Sequence, residues 1–276
     1  LIKQMSNLKV APGCLAIWGL GQMGVALKGS NQKIVYIDPI LTDVVTRRIP
    51  GTIGHFDRDF EAPVQPYEIT NADYVFCTHE HLDHTDPLTL GPLAVSSPRA
   101  QFVTSGWASD LLDDAHISQS RRILPPTDRP LELAGLRAWA IPAAHYEVEN
   151  DPVKGSRWLS YLITCGDITF FHSGDTLLYP GYMEAIRDLP QADVAMLAVN
   201  GRDAAREAED VLGNLHPEEA VCLASELGWD VLLSGHNDLF IWNTLPAGSL
   251  LDAARVQNLR QKIHVLQPGE LYYYVR

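Results

Sequence analysis

The sequence predicts an α/β fold. Short apolar runs of strand length alternate with helix-length amphipathic segments along the whole chain. Gly and Pro turn signals separate them. Side chains able to hold a metal stand just past the apolar runs, where loops on a rigid sheet carry function. Each half of the chain offers strands, then helices, then ligand candidates after strand ends, which is a coarse internal symmetry.

Length and composition suit one domain over 1–276 with a buried core. No uninterrupted apolar stretch approaches a membrane span. The opening Leu1-Ile2-Lys3-Gln4 lacks the charged-then-apolar plan of a signal peptide, and Met5 is a candidate start. Cys14, Cys77, Cys165 and Cys222 form no CxxC pair and sit in apolar runs, so all four are expected to be reduced core residues of a cytoplasmic protein. A net charge of −13 excludes a chain held to nucleic acid by phosphate contacts. It is compatible with a small anionic substrate, because a few arginines and metal ions can reverse the field inside a pocket. A homo-oligomer is compatible with it too.

In chain order, 15–18 reads as a strand followed by Gly19-Leu20-Gly21-Gln22-Met23-Gly24. That run matches G-x-G-x-x-G, but a dinucleotide site needs a long helix directly afterwards. Here Val25-Ala26-Leu27-Lys28 meets a Gly29-Ser30-Asn31 turn and then a strand over 34–37, so strand-turn-strand is the better parse. Asp38-Pro39 either braces a metal-binding histidine or simply forms a turn. The span 47–66, rich in Pro, Gly and charge, reads as a long loop and a candidate lid, with His55 solvated.

A strand over 73–77 delivers Thr78-His79-Glu80-His81-Leu82-Asp83-His84, three histidines and an aspartate within six residues. Imidazole and carboxylate are the ligands of zinc, manganese and iron. In an extended segment His79 and His81 point the same way and can reach one ion; after a turn, Asp83 and His84 can reach a second. Helices follow over 86–95 and 107–115, with strands at 101–104, 123–124, 131–133 and 136–141. His145 stands just past the last of these. Strands over 159–164 and 168–171 form a tight hairpin, and Asp175 follows the second; it is either a ligand or a helix N-cap. His172 reads as a core residue or a neighbour of the site. A short helix over 182–188 and a buried strand over 194–199 lead to Asn200-Gly201-Arg202. A helix over 217–227 carries Pro217 in its first turn, and His216 at its entrance either faces the pocket or caps the helix. A strand over 231–233 is followed by His236, and a helix over 250–259 and strands at 263–266 and 271–275 close the chain.

Strand ends thus supply seven candidate ligands. The simplest division gives His79, His81 and His145 to one ion, Asp83, His84 and His236 to another, and lets Asp175 bridge them. Two divalent ions, zinc or manganese, can share a water and bring its pKa toward about 7.

This set, with Asp175 in Ser-Gly-Asp-Thr, resembles the full metal set of the metallo-β-lactamase superfamily, which implies a four-layer αββα sandwich with the site at one edge of the paired sheets. Within it the chain is similar to the L-ascorbate-6-phosphate lactonase branch, through Val10-Ala11-Pro12-Gly13, Ile17-Trp18-Gly19-Leu20-Gly21, the stretches 78–86 and 161–175, and Gly235-His236-Asn237-Asp238. The likeness spans nearly the whole chain and is weaker over 42–69 and 86–137. Relatives that bind two irons for redox work carry glutamate where His81 stands, so His81 implies hydrolysis.

The expected reaction is attack of metal-bound hydroxide on the carbonyl of a sugar-derived, phosphorylated or plain lactone. Asp83 is expected to relay the proton, with His216 as a second donor. Asn200 and three arginines, Arg157, Arg202 and Arg206, are the candidate contacts for a phosphate or carboxylate; the alternative is arginines that hold no ligand. The rivals are a phosphodiesterase like the N-acyl phospholipid hydrolases and, in a different class, a non-catalytic binding protein on the same scaffold.

Overall fold

Two mixed sheets lie face to face in the computed structural model, which describes residues 1–52, 54–246, 248–259 and 262–276. After a short helix α1 (Ile2–Asn7), the first sheet is built from β1 (Cys14–Gly21), β2 (Gly24–Gly29) and β3 (Ile34–Ile37). Helix α2 (Val44–Arg48) and β4 (Tyr74–Phe76) come next, then α3 (Pro87–Ser96), β5 (Gln101–Val103), α4 (Ser109–Asp114) and β6 (Arg122–Ile123). The second sheet starts with β7 (Leu131–Leu133) and β8 (Leu136–Pro142); a short ribbon, β9 (Asn150–Asp151) with β10 (Gly155–Ser156), stands apart. It continues with β11 (Leu159–Cys165), β12 (Ile168–His172), α5 (Tyr182–Arg187), β13 (Val194–Ala198), α6 (Ala204–Ala208), α7 (Pro217–Glu226), β14 (Val231–Gly235), α8 (Gly248–Val256) and β15 (Lys262–Val265). The closing strand β16 (Leu271–Val275) returns to the first sheet beside β1.

The orders are β16-β1-β2-β3-β4-β5-β6 and β15-β14-β13-β12-β11-β8-β7. In both, an antiparallel meander gives way to parallel strands, at β3 in one and at β12 in the other. The coarse symmetry of the sequence is therefore a symmetry of the sheets. Parallel strands need helical crossovers, and these cover the outer faces, which completes the αββα layering.

Strand alternation assigns each side chain to a core. In β1, Leu15 and Ile17 face the second sheet and join Tyr161, Ile163, Phe170 and Leu233 there. Ala16 and Trp18 face outward, toward Met5, Leu90, Leu93 and Leu112 of the covering helices. A third core lies under α5, α7 and α8, with Tyr182, Val221 and Leu250. The sheets meet closely at Gly29, where an added Cβ would lie 2.0 Å from the Cys165 carbonyl oxygen.

The G-x-G-x-x-G run is the β1–β2 hairpin turn, with no helix after it, as strand-turn-strand required. Two expectations change. Residues 44–48, the first three of which precede the expected loop, form α2, because Val44 and Val45 pack with Ile40, Leu239 and Phe240. Cys222 is exposed on α7, whereas Cys14, Cys77 and Cys165 are buried and free; one apolar run does not fix which face of a helix a residue occupies. No described helix is long and apolar enough to cross a membrane.

Candidate metal centre

The early cluster owes its shape to β4 and Asp38. Beyond Phe76 the chain stays extended through Thr78, whose backbone N–H and hydroxyl both donate to the Asp38 carboxylate, at 2.8 and 2.7 Å. It then turns, with the N–H groups of His84 and Thr85 donating to the His81 carbonyl. Asp86 ends the turn by capping α3 through the Leu88 N–H, which starts the helix one residue later than its first expected position. The turn brings the rings of His79, His81 and His84 together, with centroids 4.5 and 4.1 Å from His79. Asp38 also accepts from His84 Nδ1 at 2.8 Å, which fixes the tautomer and presents Nε2 to the site.

The second sheet contributes single residues. His145 follows β8 in a segment pinned from both sides, Ala143 N–H to the Trp158 carbonyl and Leu177 N–H to the Ala144 carbonyl. Asp175 follows β12 through Gly174, whose φ is +55 and where a Cβ would lie 2.6 Å from the Leu159 carbonyl, so only glycine fits. His172 holds this corner: Nε2–H donates to the Met23 carbonyl and Nδ1 accepts from Gly174 N–H, so it is a buried structural residue. His236 follows β14 and is locked to the β1–β2 turn through its N–H on the Gln22 carbonyl. Gln22 N–H in turn donates to Asp238.

All seven candidate ligands meet. Three sets have ligand atoms within 4.8 Å of one another: His79, His81 and His145; His79, His84 and Asp175; Asp83, His84 and His236. Asp175 stands between the outer two, its oxygens 3.2 Å from His84 and from His236 and 3.8 Å from His145. The side chains suit a cation. Nε2 of His79 and of His84 and Oδ1 of Asp175 are buried without a well-aligned hydrogen bond among the described residues, the last two facing each other at 3.2 Å, and His145 turns Nε2 toward Asp175. Leaving such atoms unpaired costs roughly 1–3 kcal/mol each, and an ion would relieve several at once.

The two ends differ electrically. Burial, reinforced by His84 and His81, holds His79 well below the usual imidazole range, and burial pushes His145 down to about 4. For His84 burial acts the same way, but Asp175, Asp83 and Asp38 outweigh it and hold the ring well above that range. For His236 burial is again outweighed by Asp175 and Asp83, which keep it up at about 9. The Gln22 amide 3.0 Å from His236 Nε2 opposes that charge, yet two carboxylates at 3.2 and 3.5 Å dominate one amide dipole. Burial works against the negative charge on Asp83 and Asp175, and the histidines beside them hold both carboxyls well below the ordinary range.

The cluster floors a cavity of about 560 Å³. Val45, Ile49, Thr52 and Phe56 form one wall, so part of the expected loop does cover the site; Phe56 packs edge-on to Phe240 at 5.2 Å. His55 lies against Trp242 at 4.9 Å.

The expected clamp is not there. Arg157 donates to Glu80 and Glu149, at 2.5 and 2.9 Å, and lies over the Trp107 and Trp158 rings. Arg202 makes a two-pronged bond to Glu219 and donates to the Asn214 carbonyl. Arg206, buried, holds Asp203 and the Asn200 carbonyl. None of the three lines the cavity, because a desolvated guanidinium finds its carboxylate inside the fold first. Asn200 is fully buried, its side chain on Asn214 N–H and Asn243; Asn243, also held by Arg206, does line the cavity. His216 takes the capping alternative: its ring accepts from the third helical N–H of α7, and it is absent from the cavity lining.

Gln22 and Thr78 were missed as neighbours of the site. Gln22 Nε2 donates to Asp83 at 2.9 Å. Its only signal was a lone amide in the turn 19–24, which is otherwise glycine and apolar residues.

A family model described as the Beta-lactamase superfamily domain matches residues 33–236. A relative named UPF0173 metal-dependent hydrolase from Methanoculleus marisnigri is 27% identical over 227 residues, 80% of each chain. The structure of Igni18, titled a novel metallo hydrolase, from Ignicoccus hospitalis superposes with a TM-score of 0.65 at 19% identity, covering 95% of this chain and 98% of that one. An isothiocyanate hydrolase from Delia radicum gut bacteria gives 0.73 at 15% identity, covering 94% and 99%. At these identities the structural likeness speaks for the fold alone.

Proposed function

As this chain belongs to the metallo-β-lactamase superfamily, we propose that it is a metal-dependent hydrolase with two divalent ions, zinc or manganese, that opens a lactone or a related ester. The observation that carries the reading is the cluster of buried, unpaired imidazole and carboxylate atoms on the floor of an open cavity. Ions bound there would polarise a carbonyl oxygen and acidify water.

The chain's own residues divide the remaining work. His79, His81 and His145 form one ligand set, Asp83, His84 and His236 the other, and Asp175 reaches both. Asp38 keeps His84 in the tautomer that faces the site, and Gln22 steadies Asp83. Asp83 lines the cavity beside the ligand set, which puts its carboxylate where it can relay a proton from the attacking water. As water's oxygen bonds to the acyl carbon, the ring C–O bond breaks, and Asp83 passes that proton to the departing alkoxide. A hydroxy acid results. With Arg157, Arg202 and Arg206 engaged by carboxylates, nothing favours a phosphate on the substrate, so the proposal stops at the lactone or ester group.

The test is turnover of a lactone panel beside bis-p-nitrophenyl phosphate, with elemental analysis of the purified protein. Lactone opening that is lost to a chelator and regained with zinc or manganese supports the proposal. Cleavage of the phosphodiester alone makes the chain a phosphodiesterase, and absence of bound metal makes it a binding protein.

A further inference from the structure

We propose that the cavity selects an uncharged or cationic substrate with an apolar arm and discriminates against anions. This deepens the hydrolase reading and rests on it only for which end of the substrate reacts. Besides the ligand floor the lining includes Val45, Phe56 and Phe240, which pack in one cluster, and Ile49, Val211 and Leu212. Phe56 is braced edge-on by Phe240 and Trp242, at 5.2 and 6.0 Å, so this cluster is preformed. A chain of several methylenes finds apolar contact along it.

The charges point the same way. Among the described lining residues there is no lysine or arginine. Glu209 and Asp210, both exposed, stand at the rim, and Glu80 below them is taken by Arg157. An anionic arm would meet carboxylates with no counter-charge, whereas an ammonium or an uncharged arm would not. Asn243 offers recognition without charge. Its Oδ1 already accepts from Asn200 at 2.8 Å and from Arg206 at 2.9 Å, which leaves its amide N–H groups for a neutral acceptor.

Three hydroxamates with one metal-seeking head and different arms test this by calorimetry on the zinc-loaded protein. Octanohydroxamic acid is expected to bind at least about tenfold tighter than acetohydroxamic acid, through burial of its added methylenes. Suberic monohydroxamate, an eight-carbon chain ending in carboxylate, is expected to lose that gain. The double variant Glu209→Lys/Asp210→Asn should restore about threefold or more of it at low salt; asparagine is chosen because Asp210 has φ +59. Equal binding of the long and short arms, tightest binding of the carboxylate arm, or no binding of any overturns the proposal. γ-Nonalactone and γ-butyrolactone are assayed in parallel. If neither is opened but the hydroxamate order holds, the lactone reading fails and the selectivity stands; if both are opened and the order is reversed, the opposite follows.

Discussion

The two sheets serve the centre in different ways. The first gives four candidate ligands in one turn after β4, His79, His81, Asp83 and His84, and the second gives His145, Asp175 and His236 from three separate strand ends. The first group is shaped by local bonds, the turn onto the His81 carbonyl and the Asp38 brace. The second exists only once β8, β12 and β14 are gathered into one sheet, with β11 and β13 between them. A motif can therefore carry half of a site, but the other half is a property of the assembled sheet.

The largest test of that division falls on Asp175, which reaches both ligand sets. Asp175→Asn should cost both ions by elemental analysis and lower lactone hydrolysis on the order of a thousandfold. Retention of both ions would mean the halves are held independently.

The next test uses the electrical contrast. His84 and His236, with raised folded values, stabilise the ion-free protein below their unfolded value of about 6.5. That contribution is lost as pH climbs through about 9. The ion-free melting temperature should thus fall by several degrees between those limits. Ion uptake at Asp83, His84 and His236 should release protons there, with affinity rising about tenfold per pH unit for each proton displaced. His145 should release no proton on ion binding until acid approaches about 4, and His79, held well below the usual range, should release none near neutral pH. Calorimetry in two buffers of unlike ionisation heat reads both.

A smaller effect is expected from Asp38→Asn, which keeps the shape but weakens the brace on His84: about 10–100-fold in ion affinity, by competition with a chelating dye. Gly29→Ala, remote from the centre, should leave ion content unchanged and cost about 1–3 kcal/mol in urea unfolding, because its methyl meets the Cys165 carbonyl. Loss of ions in that variant would mean that sheet spacing itself sets the second half of the site.

The sequence made most strands readable because their apolar runs are short and bounded by turn residues, as in 34–37 and 159–164. The seven-residue cluster was legible because histidine and aspartate are rare past strand ends without a purpose. Side chains that act across the chain were harder. Arg157, Arg202 and Arg206 looked available because their partners Glu80, Glu219 and Asp203 are assigned by packing, two of them from distant or separately folded segments. Helix α2 hid in a Pro- and Gly-rich neighbourhood, since its two buried valines matter only against Leu239 and Phe240. Gln22 was passed over for the same reason: a turn residue shows its geometry in sequence, but not the strand end that it leans on.

Gln22, Asp38 and His236 share left-handed backbone, with φ of +57, +44 and +61. Each would be more comfortable as glycine or asparagine, by roughly 1 kcal/mol. Backbone ease alone would favour those residues at 22, 38 and 236, but glycine there would take away the Asp38 bonds to Thr78 and His84 and the Gln22 bond to Asp83. Backbone ease and metal-site chemistry thus pull on the same three peptides in opposite directions.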